Sequence, residues 1–324
     1  MVHRPVDHPP RAMRARPALL IASPRSRRLL RLARRYAAVD ATVLITGETG
    51  VGKDALARYI HHAGPRRREP FVVVDCPALP STLIEAELLG HERGAFTDAI
   101  VGRAGRFERA GRGTLYLDAV TELSPSGQGA LLRLVEERTV TRLGGTTPID
   151  MSARIIASAD TSIDQRLDSG TFRADLWHRL RVLPMHVPPL RERPDDILPL
   201  AHHFVAALSA TYRREPPSLT RDAEEQLRRY HWPGNVRELR HVIERVLLTG
   251  VDRIDATSLP TDLLDIAGSD VATGGASRPT LAEIEQRYIT LILHVTRGNQ
   301  TQAATILGIS RKGLWEKRKR YGSE

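Results

Sequence analysis

Residues Ala41-Thr-Val-Leu-Ile-Thr46 run straight into Gly47-Glu-Thr-Gly-Val-Gly52-Lys53-Asp54, and an amphipathic pattern follows as far as His62. The apolar run predicts a buried strand, and the pattern after Gly52 a helix. Between them, Gly-x-x-x-x-Gly-Lys is the spacing of a phosphate-cradling loop. Its glycines let successive backbone N–H groups turn inward, the helix start adds the positive end of its dipole, and Lys53 reaches the outer phosphates. Candidate nucleotide contacts are therefore Gly47, Glu48, Thr49, Gly50, Val51, Gly52, Lys53 and Asp54. Asp54 replaces the hydroxyl residue that usually follows the lysine and holds magnesium. An ordinary glycine-rich turn would account for the glycines, but not for the strand before them and the helix after.

Outward from this loop, Phe71-Val-Val-Val-Asp75, Thr114-Leu-Tyr-Leu-Asp118 and Ala153-Arg-Ile-Ile-Ala-Ser158 predict further strands, with helical patterns between them, as over Gln128 to Glu137. A short basic amphipathic helix spans Ser26 to Ala38. Strands alternating with helices imply an α/β fold with a parallel sheet covered on both faces. Asp118 closes its strand where a metal-organising aspartate would stand beside the phosphates, and a strand-end turn aspartate is the plain alternative. After Pro188-Pro189 the strands stop, and residues 195–250 show helical patterns only. The expected organisation is a basic arm at 1–17, an α/β unit at 18–190 and a helical lid at 191–252. A linker at 253–279, rich in Gly, Ser and Ala from 266 onward, then leads to an all-helical module at 280–324.

That last module repeats one grammar. Leu281, Ile284, Tyr288, Leu291, Ile292 and Val295 line one helix face, residues 298–308 supply a second helix and a glycine turn, and residues 309–321 a basic third helix. This is the pattern of a helix-turn-helix, with Ser310 as the N-cap of the recognition helix. Base contacts are expected from Ser310, Arg311, Lys312 and Trp315, and phosphate contacts from Lys317, Lys319 and Arg320. Thr301 and Gln302 on the preceding helix complete the candidate DNA-binding set.

The 324 residues are enough for two or three domains, and a 41% hydrophobic content excludes wholesale disorder. Cys76 is the single cysteine, which excludes a disulfide framework and a cysteine-built zinc site. No apolar run approaches membrane-spanning length, so a reducing cytosol is the expected compartment. The net charge of +10 is uneven. Residues 1–35 carry ten arginines against Asp7, and residues 311–324 carry six basic side chains against two acids, leaving the rest of the chain at −3. Basic ends on a near-neutral body point to a polyanionic partner, although a solvated arm explains the first block equally well.

The stretch Glu87-Leu-Leu-Gly-His-Glu-Arg-Gly-Ala-Phe-Thr-Asp-Ala99 resembles the signature of the bacterial enhancer-binding proteins, the sigma-54-dependent AAA+ activators. Gly105-Arg-Phe-Glu108, Gly113 to Asp118, Phe172-Arg-Ala-Asp-Leu176, Val187 to Arg193 and Trp232-Pro-Gly-Asn-Val-Arg-Glu-Leu239 match the same family in order. The resemblance implies an oligomeric ring or dimer that binds ATP and Mg2+ between subunits and remodels RNA polymerase holoenzyme carrying sigma-54. It implies a sigma-contacting loop at Gly94, Ala95, Phe96, Thr97, Asp98 and Ala99. It further implies inter-subunit arginine fingers at Arg173 and Arg179, and a nucleotide-sensing arginine in the lid at Arg237. The C-terminal module resembles the Fis-type reader of these proteins, which implies dimeric binding to an enhancer-like palindromic operator. No receiver segment precedes the matched region, so control by expression level or by a separate partner is expected.

The departures are as informative as the matches. The family's strand motif ends Asp-Glu, the glutamate activating the attacking water; here the pair is Asp118-Ala119, and a methyl group accepts no proton. The asparagine that holds that glutamate is Asp75, the sensor pair Thr-Asn is Ala159-Asp160, and the second glycine of the sigma loop is Asp98. Gly313 stands for a threonine in the reader, and Arg318 for an apolar residue. Two readings follow: an ATP-hydrolysing activator, with Glu122, Asp75 or Asp160 standing in as base, or a hydrolysis-deficient regulator whose bound nucleotide stabilises its assembly. The latter could serve as a repressor, a co-subunit or a sigma-54-independent regulator. A DNA-bending architectural protein using both basic ends is a third reading, and the intact phosphate loop counts against it.

Overall fold

Strands β1 (Val43–Thr46), β2 (Phe71–Asp75), β3 (Thr114–Asp118), β4 (Arg154–Ala159) and β5 (Leu183–His186) form one sheet in the order β2-β3-β4-β1-β5, every pair parallel. The computed structural model describes residues 21–80, 83–96 and 99–260, and in the C-terminal module residues 289, 296, 300, 303, 304, 307, 309, 311, 313–315 and 317. α1 (Pro24–Ala37) precedes the sheet; parallel strands need crossovers, and these supply α2 (Lys53–Ala63), α3 (Ile84–Leu89), α4 (Arg106–Ala110), α5 (Pro125–Glu137), α6 (Ile163–Asp168) and α7 (Ala174–Leu180). Ser23 caps α1 and Ser124 caps α5, each followed by proline at the first helical position, the pairing that fixes a helix start most sharply.

Side chains alternate across each strand, so the two sheet faces carry separate cores. Val43, Ile45, Tyr116 and Ile156 pack under Ala33 and Ala37 of α1 and Leu56, Ala57 and Ile60 of α2. On the other face, Leu44, Leu115, Leu117 and Ile155 pack against Ile84 and Leu88 of α3, Leu131 and Leu134 of α5, and Leu176 and Leu180 of α7. The α/β architecture with a doubly covered parallel sheet is thus as expected. Two elements differ from the sequence reading. β5 leaves no strand pattern in the sequence, because Pro184 interrupts it; an edge strand tolerates proline, having one unpaired side. Nor is 195–250 purely helical: Ser218–Leu219 pairs in parallel with Arg253–Ile254, too short to leave a periodicity.

Met1–Pro216 with His231–Thr249 make one compact unit, which holds the sheet together with α8 (Ile197–Tyr212) and, later in the chain, α10 (Asn235–Leu248). Pro217–Tyr230 with Gly250–Glu324 make the second, containing α9 (Arg221–Arg229) and the C-terminal module, where Ile289, Ala303, Ala304 and Leu314 share a small core. Among the described residues no helix is long and apolar enough to cross a membrane.

One buried group makes the first unit sensitive to acid. His61 of α2 lies with Nδ1 2.9 Å from Thr114 Oγ1, and burial, reinforced by His62 and Arg154, pulls its imidazole down to about 4. The unfolded chain binds this proton more tightly than the folded one, so stability present above pH 6.5 is lost as pH falls toward 4. His61→Gln should remove about 1–2 kcal/mol of that acid-dependent loss, a figure that allows for solvent screening, read as the difference between urea midpoints at pH 7 and 4.5.

Candidate functional site

The loop after β1 is gripped from both sides. A Cβ on Gly50, where φ is +80°, would come within 2.4 Å of the Gly234 carbonyl oxygen, so only glycine fits between strand and lid. Gly52, at φ +102°, has no heavy atom within 4 Å of its missing Cβ, and no side chain caps the start of α2 behind it. An uncapped helix start facing open space beside left-handed glycines is suited to an anion. Lys53 folds back, its Nζ donating to the carbonyls of Gly47 at 2.7 Å and Glu48 at 3.1 Å. Burial pushes its ammonium down, Asp118 and Asp160 oppose that shift, and Arg237 adds to it. Asp118, Asp160 and Arg237 therefore each lie within electrostatic reach of Lys53. Asp54 is in an ion pair with Arg58 at 3.0 Å.

Across the sheet, Asp118 ends β3 with Oδ1 accepting from Ser158 Oγ at 2.6 Å and Tyr116 Oη at 2.9 Å. Burial and then the neighbouring Asp118 push the Tyr116 phenol up, so it remains a donor. Asp118 Oδ2 has no hydrogen-bond partner among the described residues, and a carboxylate oxygen held in that way suits a hard divalent cation. Ser158 also accepts from the N–H of Ala119 at 2.8 Å, which fixes Ala119 in the left-handed region at φ +54°.

The three acids that could replace the missing glutamate fare differently. Glu122 is paired with Arg166 on the surface. Asp160 accepts from Ser162 N at 3.0 Å and Oγ at 2.6 Å, an arrangement that closes the turn after β4. Asp75 is exposed, lies in register with Asp118 on the adjacent strand, and its carboxylate has no partner among the described residues.

The lid closes over the loop through residues to which the sequence reading gave no role. Asn235, buried at φ +54°, donates from Nδ2 to Glu48 Oε2 at 3.0 Å and to the Thr49 carbonyl at 3.1 Å, and accepts from Leu190 N at 2.8 Å. Arg191 holds Glu48 at both oxygens, at 2.9 and 2.5 Å, and this ion pair is the main reason the Glu48 carboxyl lies below its ordinary range. Arg193 donates to the Val51 carbonyl at 2.7 Å. Arg237 is brought to the loop as well, its backbone N–H reaching the Gly50 carbonyl at 3.3 Å. The signal for Asn235 and Arg193 was present in the matched motifs around them, but no residue-level rule pointed to either. Behind Gly52 a cavity of about 240 Å3 is walled by Leu29, Leu30, Val51, Leu56, Val187 and Phe204, with Arg193 and His203 as polar edges. A mostly apolar slot with a few polar groups, opening beside a phosphate loop, has the character of a heterocycle pocket.

Comparison with known proteins fits this geometry. Residues 19–186 match the Sigma-54 interaction domain, residues 191–274 the AAA+ ATPase lid domain, and residues 280–321 the Bacterial regulatory protein, Fis family. The chain belongs to the sigma-54-dependent transcriptional regulators. It is 41% identical over 318 residues to the transcriptional regulatory protein FlbD of Caulobacter vibrioides, a match covering 94% of this chain and 70% of FlbD. It is 38% identical over 314 residues to the Sigma54-dependent transcriptional regulator SfnR of Pseudomonas fluorescens, covering 91% and 86%. NtrX from Brucella abortus, solved in complex with ADP, superposes with a TM-score of 0.71 at 29% identity over 94% of this chain and 70% of that one.

In this regulator the remaining candidate residues lie apart from the phosphate loop. Arg173 is held by Asp175 at 3.1 and 2.8 Å, and Arg179 faces Glu136 at 3.3 Å; both arginines are exposed. In the sigma-contact stretch, the Gly94 N–H donates to the Ala99 carbonyl at 2.8 Å, so the segment leaves and returns at one point. Ala95 follows Gly94, and the Phe96 ring rests on His91 with centroids 4.9 Å apart. Ala99 is buried, whereas Ile100 and Val101 beside it are 77% and 72% exposed. Thr97 and Asp98 lie outside the described residues, as do the 1–17 arm and Thr301, Gln302, Ser310, Lys312, Lys319 and Arg320 of the reader. Of its described residues, Arg311 and Trp315 are exposed, Lys317 is half-buried, and Leu314 points into the small core.

Proposed function

We propose that this regulator binds ATP with magnesium between the glycine loop and the lid, and that its nucleotide serves assembly on DNA rather than rapid turnover. The adenine would enter the apolar cavity, the phosphates the open side of Gly52 and Lys53, and the metal Asp118 Oδ2. Bound magnesium would neutralise charge on the outer phosphates. Arg237 would sense the terminal phosphate from the lid, while Arg173 and Arg179, exposed in their pairs with Asp175 and Glu136, would exchange these for a neighbouring subunit's nucleotide. The loop from Gly94 to Ala99 would meet sigma-54 polymerase, and the reader a palindromic operator. The observation that carries the reading is Ala119: its backbone is fixed beside Asp118, yet it offers no proton acceptor.

The free carboxylate of Asp75, in register with Asp118, favours one second reading, in which Asp75 activates water and the protein is a hydrolysing activator. Sedimentation velocity with and without ATP, beside steady-state ADP release at assembling concentrations, separates the two. The first reading expects ATP-dependent assembly with negligible ADP release, and Lys53→Ala should lose the assembly. Robust ADP release abolished by Asp75→Asn would establish the second instead.

A further inference from the structure

α1 carries six arginines and no acid along its fourteen residues. Ser26, Ala33 and Ala37 bury one side of it, and Leu29, Leu30 and Leu32 lean toward that same side. At 100° per residue, Arg27, Arg28, Arg31, Arg34 and Arg35 fall within an arc of about 120° on the opposite side. All five are exposed. Arg34 donates to the Tyr59 hydroxyl at 2.7 Å, whereas Arg27, Arg28, Arg31 and Arg35 have no partner among the described residues. The turn after α2 extends the patch. Arg66 pairs with Asp40 just past the end of α1, and a Cβ on Gly64 would lie 2.7 Å from the Ala37 carbonyl. Arg67 and Arg68, both exposed, follow in the same turn.

This arrangement is unfavourable within the molecule. Like charges repel at the 27/31, 28/31, 31/34 and 31/35 spacings, and Arg27 and Arg28 near the helix start oppose its dipole. Among the described residues no carboxylate pairs with Arg27, Arg28, Arg31 or Arg35. We propose that this arginine face is a second, sequence-independent DNA contact, binding the sugar–phosphate backbone from the ATPase unit. Guanidinium groups match phosphate oxygens two at a time, which favours arginine over lysine for this role. From Arg27 to Arg35 the helix rises about 12 Å, the axial length of three to four phosphates on one strand. A helix that lies on a membrane pairs its cations with exposed apolar anchors, and α1 presents none on this face. The Fis-type reader on the same chain would hold DNA at high local concentration, so a weak backbone contact suffices.

The test uses the full chain and a fluorescein-labelled random-sequence duplex several helical turns long, titrated by anisotropy over a range of KCl concentrations. In Arg27→Gln/Arg31→Gln/Arg35→Gln, the slope of log K against log[KCl] should shrink by about 2–3, at roughly 0.9 for each phosphate no longer neutralised. Arg67→Gln/Arg68→Gln should shrink it by a further unit or two. Helix content by circular dichroism should be unchanged or higher, since the repulsion is gone, so a folding defect would not be mistaken for the effect. An unchanged slope in both variants overturns the proposal. So does arginine-dependent capture by phosphatidylserine vesicles without any change in DNA binding.

Discussion

Ala119→Glu should raise steady-state ATP turnover by about 10²–10⁴-fold, the usual worth of a positioned general base. The site is prepared to receive it. Position 119 is pinned by its own N–H on Ser158 Oγ, and Ser158 is pinned on Asp118, so a side chain added there starts from a fixed point beside the metal-organising carboxylate. The backbone is already left-handed at φ +54° and ψ +58°. Alanine bears that strain of about 1 kcal/mol today, and glutamate would bear much the same, so the substitution adds little folding cost. Ala119→Gly is the matching control. It should relieve the strain, stabilise the protein by up to about 1 kcal/mol, and leave turnover where it was. In the Ala119→Glu background, Asp75→Asn should keep or increase activity, because an amide in register with Asp118 can donate to the new carboxylate while an aspartate repels it. Unchanged ADP release in Ala119→Glu, with ATP binding and assembly intact, would show that position 119 is not what limits hydrolysis.

What the sequence disclosed follows from how local the signal is. Strand, glycine loop and helix are contiguous, so Gly47 to Lys53 was legible in one glance, and Asp118 was visible as the polar end of an apolar strand. Ser158 was not. It sits among buried apolar residues of β4, and its service to Asp118 exists only because parallel pairing places β4 beside β3. Asp196 is a sharper case. It appears as one of two acids after Pro194 and so as surface, yet it is fully buried, accepting from Ala22 N at 2.6 Å and Ser23 N at 2.7 Å and bonded to Ser26 Oγ. It ties the start of α1 to a segment some 170 residues away, a link no periodicity encodes. Glu122 shows the converse. Its spacing from Asp118 made it a plausible stand-in base, and only the position of α6 reveals that Arg166 has already claimed it.

Asn235→Ala should be the most damaging single change in the lid, lowering stability by roughly 3–5 kcal/mol and ATP affinity with it. Four bonds go at once: the acceptor for Leu190 N and the donors to Glu48, to the Thr49 carbonyl and, more weakly, to the Pro233 carbonyl. The Leu190 N–H, on a fully buried residue, is left unsatisfied at a cost of about 1–3 kcal/mol, whereas the carbonyl of the exposed Thr49 can turn to water. Alanine also pays about 1 kcal/mol for the left-handed backbone that asparagine accepts readily. Two companions apportion the loss. Asn235→Gly keeps the conformation but not the bonds, so it should be the milder by about that backbone term. Asn235→Asp keeps the acceptor for Leu190 N while setting a second carboxylate against Glu48, so it should spare stability at low pH, where the carboxyls are protonated, and weaken the protein as pH rises. The check is thermal denaturation of all three with and without ATP. If the loop is held for nucleotide by this residue, the ATP-induced rise in Tm should shrink in every variant, including the glycine one whose backbone is unstrained. A full ATP-induced rise in Asn235→Gly would mean that Arg191 on Glu48 and Arg193 on Val51 hold the loop well enough without it.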